Sequence, residues 1–144
     1  MLSGYRTQVE TLADKSLSNE DRVIASIDFT CGRCDIKAEY GTHDFLGVRS
    51  DAYYVQARYS FGDAWGPYVR YERAVTDKNQ SGDPSFFQKT LVAGVQYRMA
   101  ESITLRLEGH FNHGYALPVA SGEVAAGTGA TDWNLAVAGV NFSF

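Results

Sequence analysis

Apolar and polar residues alternate one by one along most of this chain, in blocks of about ten separated by clusters of Gly, Asp, Asn and Ser. In DAYYVQARYSFG, Tyr53, Val55, Ala57, Tyr59 and Phe61 share one face, and Tyr54, Gln56, Arg58 and Ser60 the other. FFQKTLVAGVQYR sets Phe87, Leu91, Ala93, Val95 and Tyr97, with Lys89 among them, against Gln88, Thr90, Val92, Gly94, Gln96 and Arg98. ITLRLEGHFN places Ile103, Leu105, Leu107 and Phe111 opposite Thr104, Arg106, Glu108 and His110. WGPYVRYERAV sets Trp65, Val69 and Tyr71 against Tyr68, Arg70 and Glu72, and RVIASIDFT and CDIKAEYGTH follow less strictly. The closing WNLAVAGVNFSF gathers Phe144, Phe142, Val140, Ala138 and Ala136. A period of two belongs to strands and 3.6 to helices, so the pattern predicts an all-β chain with seven strands between residues 22 and 144. Residues 1–21 admit two readings: Tyr5, Thr7, Val9 and Thr11 form a strand face, while Leu2, Tyr5, Val9 and Leu12 form a helix face.

The connections alternate in length. Residues 31–33, 62–64 and 99–102 are short, whereas 44–50, 76–85 and 113–131 are longer. Short turns on one rim and longer loops on the other predict an up-and-down antiparallel meander, the topology of a β-barrel. Such a barrel has two versions. A soluble one turns its apolar face inward, and a transmembrane one turns it toward lipid. Aromatic residues at both ends of the apolar faces favour the membrane: Phe87 and Tyr97 bracket Leu91, Ala93 and Val95, and Tyr53 with Tyr59 and Phe61 brackets Val55 and Ala57. Ten residues at roughly 3.3 Å each, tilted by roughly 40°, rise about 25 Å, the spacing of aromatic girdles.

Composition narrows the picture. At 44% hydrophobic and 21% charged, 144 residues suit one ordered domain. No apolar run reaches the length of a transmembrane helix. The net charge of −4 offers no basic footprint for nucleic acid. The opening MLSGYRTQVE lacks a basic and then apolar leader pattern, so either a signal has been removed or the chain is a piece of something longer.

On the membrane reading Arg58, Arg70, Glu72, Arg98, Arg106 and Glu108 face inward and are expected to line a pore. Arginines on four successive strands would draw anionic solutes, and Arg–Glu pairing along the wall would cancel that pull. Two cations, Arg73 and Lys89, fall instead on the apolar face and flank the 76–85 loop almost symmetrically. They are expected to meet across the hairpin, where an anion such as a lipopolysaccharide phosphate would relieve their repulsion, or else to snorkel from the rim.

The terminal GVNFSF, with RSDAYYVQARYSF, GPYVRYERAVTDK and VAGVQYRMAESITLRLEGHF, resembles the last strands of Gram-negative outer-membrane porins of the phosphate-selective-porin-like group. The likeness covers about residues 22–144. It implies a bacterial outer-membrane location, passive diffusion of small hydrophilic solutes with anionic ones as candidates, no cofactor, and lipid, lipopolysaccharide and the barrel-assembly machinery as partners. A homotrimer is the candidate assembly. Phe144 with Phe142 two residues before it resembles the signal that this machinery reads. Porins of this kind have about sixteen strands, which seven cannot supply, so the chain is expected to be the C-terminal part of a larger barrel. A closed eight-stranded barrel with a structural or surface-binding role is the alternative.

Other constellations carry less. Cys31-Gly-Arg-Cys34 has redox spacing but no βαβ context or second metal pair. Asp77, Asn79 and Asp83 could meet a calcium ion, although a solvated loop explains them as well. A lipid A deacylase would need a His and a Ser on the outer wall. His110 faces inward and is followed by Phe111, Asn112 and His113, without a hydroxyl nucleophile, so no enzymatic activity and no metal site are expected.

Overall fold

The computed structural model describes residues 2–10, 17–114 and 131–143. Its strands form one antiparallel sheet in which each pairs with the next in sequence. They are β1 (Leu2–Glu10), β2 (Leu17–Cys31), β3 (Cys34–Phe45), β4 (Val48–Tyr59), β5 (Trp65–Val75), β6 (Phe87–Ala100), β7 (Ile103–Gly114) and β8 (Asp132–Phe142). The seven strands expected from alternation are β2–β8. The stretch before them resolves into the strand β1, and β2 begins at Leu17, five residues ahead of the expected boundary. No α-helix occurs among the described residues; the only helical pieces are single 3-10 turns at Lys78–Gln80 and Pro84–Phe86.

Turn chemistry explains the short rim. Gly32, at φ 60°, opens the two-residue turn between β2 and β3 and brings Cys31 directly opposite Cys34. Gly62, at φ 59°, begins the three-residue connection closed by the Phe61–Trp65 bridge. Glu101 and Ser102 join β6 to β7, with a register shift at Met99. The other rim departs from expectation. The stretch 44–50 is no long loop but a two-residue turn of Leu46 and Gly47, both at positive φ (53° and 77°), with pairing continuing to Phe45 and Val48. Consecutive positive φ values make a type I′ turn, whose twist matches that of the flanking strands. The 76–86 connection is long, as expected, and the 115–130 stretch lies outside the described residues.

Because directly paired residues share a face, the register sorts the sheet into rungs. One polar rung runs Asp28, Lys37, Gln56, Arg70, Val92, His110; the next runs Thr30, Asp35, Arg58, Tyr68, Gly94, Glu108. Between them lies the apolar rung Phe29, Ile36, Ala57, Val69, Ala93, Gly109. Most of the apolar face is exposed, with Ile27 at 69%, Leu107 at 58% and Leu91 at 45%, whereas Val75 and the expected girdle residue Phe87, paired at its long-loop end, are buried. The polar face is the buried one, with Val92 at 0% and Glu108 at 3%. In a single layer with nothing stacked on it, burial of one face comes from curling toward that face, so the polar side is concave.

The strands are also staggered. Following the pairing from Leu2 through Ala25, Tyr40, Tyr53, Arg73, Lys89 and His113 reaches Asp132. From that line β1 extends wholly toward the long-loop rim and β8 wholly toward the short-turn rim. A drift of roughly ten residues over eight strands is the stagger of strands tilted by about 40°. No pairing joins β8 to β1 among the described residues, and the sheet is open.

Candidate functional site

The concave face carries the candidate chemistry, and alternation places it there: every second residue of β3–β8 points inward. Arg58, Arg70, Glu72, Arg98, Arg106 and Glu108 all lie on this face, as their parity predicts. They are mostly paired. Arg58 grips Asp35 with Nη2 and Nε at 2.6 and 3.1 Å, and its Nη1 donates to Gln96 Oε1 at 3.4 Å across an intervening strand. Arg70 Nε lies 2.5 Å from Glu72 Oε1, a charge contact whose angle does not make it a hydrogen bond. Lys37 meets Asp28 at 3.0 Å. Arg98 has no ion-pair partner among the described residues and sits near the short-turn rim in a polar hollow of about 360 Å³ with Arg33, Arg58 and Asp63.

Glu108 is the most elaborately held. Arg106 Nη2 donates to its Oε2 at 3.1 Å, His110 Nε2 lies 3.0 Å from the same oxygen, and the Tyr68 hydroxyl donates to Oε1. Tyr68 stands on β5 and Glu108 on β7, so the phenol must cross β6, and it does so over Gly94. A Cβ on Gly94 would fall 2.5 Å from Tyr68 Cζ. Only glycine leaves the ring room, and the buried carboxylate is thereby satisfied on both oxygens.

A second cluster fills the same face nearer the long-loop rim. Thr90 Oγ1 donates to Asn112 Oδ1 at 2.7 Å, Gln88 Nε2 donates to both oxygens at 3.0 and 3.2 Å, and Asn112 Nδ2 reaches Trp133 O at 3.4 Å. Sequence reading assigned these residues their face but not these partners, because pairing across strands depends on register. Asp35 and Tyr68 were the unforeseen members; their signal was parity alone.

The remaining candidates separate. Arg73 and Lys89 stand directly opposite each other on the convex face. His110 is on the concave face beside Glu108. Cys31 and Cys34 are free and exposed. Asp77 and Asp83 spend their carboxylates on capping, accepting from Asn79 N at 2.9 Å, Gln80 Nε2 at 2.8 Å and Ser85 N at 2.8 Å. No group of three metal-ligating side chains occurs among the described residues. Phe142 is exposed at the short-turn rim, while Phe144 lies outside the described residues. No protein-family model matches the chain, and no curated protein matches it in sequence.

Proposed function

We propose that this chain is part of the wall of a bacterial outer-membrane β-barrel, along whose polar face small hydrophilic solutes diffuse passively, as in the porins its segments resemble. One observation carries the reading: the sheet is inside out for a water-soluble protein, with an exposed apolar convex face and a charged concave one. Apolar surface left in water costs about 25 cal/mol per Å², and a row such as Tyr71, Leu91 and Phe111 repeated over several rungs is relieved by lipid. The apolar faces end in Tyr59, Phe61, Trp65, Tyr97 and Phe142 toward the short turns and in Tyr40 and Tyr53 toward the loops, the two girdles of a bilayer-spanning band. Phe142 and Phe144 are the proposed assembly signal, with membrane lipid and the barrel-assembly machinery as partners and a homotrimer as the assembly to test. Because the wall arginines are largely neutralised by carboxylates, solute preference is set by size more than by charge.

The test is conductance of the purified protein in planar lipid bilayers. Stepwise, ohmic openings support the reading; a bilayer that stays silent with inserted protein counts against it. The second reading, a closed eight-stranded barrel without a pore, is favoured by the packing of Thr90, Asn112, Glu108 and Tyr68 to near-complete burial. A silent bilayer together with a compact band on an unboiled gel would select it.

A further inference from the structure

On the convex face the rung just before the buried Val75–Phe87 pair changes character from Tyr40 and Tyr53 to Arg73, Lys89 and His113. Arg73 and Lys89 are direct cross-strand partners, with Cβ atoms about 5 Å apart, and like charges so placed repel. Neither nearby acid pairs with the two cations, although Asp51 Oδ1 is buried without a hydrogen-bond partner. Asp132 Oδ1 lies 2.8 Å from His113 Nδ1, and Asp51, one rung beyond, lies 3.9 Å from Lys78 Nζ. Neither Arg73 nor Lys89 forms an ion pair among the described residues. Arg73 Nε is buried without a hydrogen-bond partner, and Lys89 Nζ stands 5.0 Å over the Phe87 ring.

We propose that Arg73 and Lys89 together hold a phosphate of a phosphorylated lipid of the lipid A class. The proposal rests on the membrane reading above. A guanidinium fork beside an ammonium point charge suits a phosphomonoester, which can accept from both at once. Continuity chooses lipid over free phosphate. Immediately toward the short turns lie Tyr71 and Leu91, then Val69 and Ala93, all on the exposed apolar face. An amphiphile satisfies the cations with its headgroup and covers that strip with its acyl chains; inorganic phosphate does only the first.

The experiment uses the protein expressed in a Gram-negative host and extracted in mild detergent. Retention of added lipid A, of its dephosphorylated form and of zwitterionic phospholipid is quantified by native mass spectrometry for the wild type and the Arg73→Gln/Lys89→Gln variant. The expected result is retention of lipid A at least about tenfold above the double variant, the scale of one charge-assisted contact, with dephosphorylated lipid A falling to the variant's level. Added inorganic phosphate at millimolar concentration leaves the bound lipid in place. Equal retention by wild type and variant overturns the site, and displacement by inorganic phosphate overturns the lipid assignment. Failure of the wild type to partition into micelles or retain any lipid, zwitterionic included, would sink the membrane reading itself and so is distinguishable. A compact band on an unboiled gel for the glutamine variant confirms that lost retention is not lost folding.

Discussion

Gly94 shows how much one absent side chain does here. Tyr68 crosses it to reach Glu108, so a methyl at 94 must displace the ring or push β6 outward. Gly94→Ala is expected to lower stability by about 1–3 kcal/mol, the usual cost of overpacking. In a Tyr68→Ala background the same change is expected to cost under about 1 kcal/mol, because the clash is gone. Urea unfolding of the four proteins, followed by tryptophan fluorescence in lipid vesicles, tests the coupling; additive effects would refute the crossing. Tyr68→Phe removes only the hydroxyl and leaves a 3%-exposed carboxylate with Arg106 and His110. A loss of about 1–2 kcal/mol is expected in the same assay, since a buried acceptor loses one partner of three.

At the scale of elements, strand identity and facing were legible because a period of two writes both into the sequence at once. Once Leu91 is known to face out, Thr90 and Val92 must face in. Partners were not legible, since sliding one strand by two residues preserves every face and changes every contact. The turn at Leu46-Gly47 was hidden for another reason: a leucine at φ 53° pays for a left-handed conformation that its side chain disfavours, so nothing local announces it. Leu46→Asn is therefore expected to raise stability by roughly 0.5–1 kcal/mol, read as a higher urea midpoint; a lower midpoint would mean that the exposed leucine has a contact that compensates. Facing has a sharper test. Ala93, in the middle of the apolar band, and Gln96, on the polar face, lie three residues apart on β6. Ala93→Arg is expected to destabilise by roughly 2–4 kcal/mol in a bilayer, while Gln96→Arg costs less, limited to losing the 3.4 Å contact from Arg58 and adding a like charge beside it. Were the convex face in water, Ala93→Arg would be as mild as any surface change, within about 0.5 kcal/mol.

For the molecule as a whole, the open edges of β1 and β8 present unpaired backbone groups that a bilayer does not tolerate, so on the membrane reading each must meet another strand, whether the other's edge or further strands. Either closure leaves the same charges facing the lumen. Lys37, Arg58, Arg70 and Arg106 each touch a carboxylate, and Arg98 is balanced in number by Glu39, so the wall contributed by these strands is close to neutral. A neutral wall passes cations and anions nearly alike, and the reversal potential under a tenfold salt gradient is expected near zero. The pairs make this adjustable in a chosen direction. Asp35→Asn removes the carboxylate charge whose Oδ2 accepts from Arg58 Nε and Nη2, and Glu72→Gln removes the charge beside Arg70 Nε. Each change adds one uncompensated positive charge to the surface that, on the channel reading, permeating ions pass. The double variant is expected to shift the reversal potential toward that of an anion-selective pore, and high salt is expected to shrink the shift because exposed charges are screened. Openings of unchanged selectivity in the double variant would mean that the polar face of these strands is not the surface along which ions move.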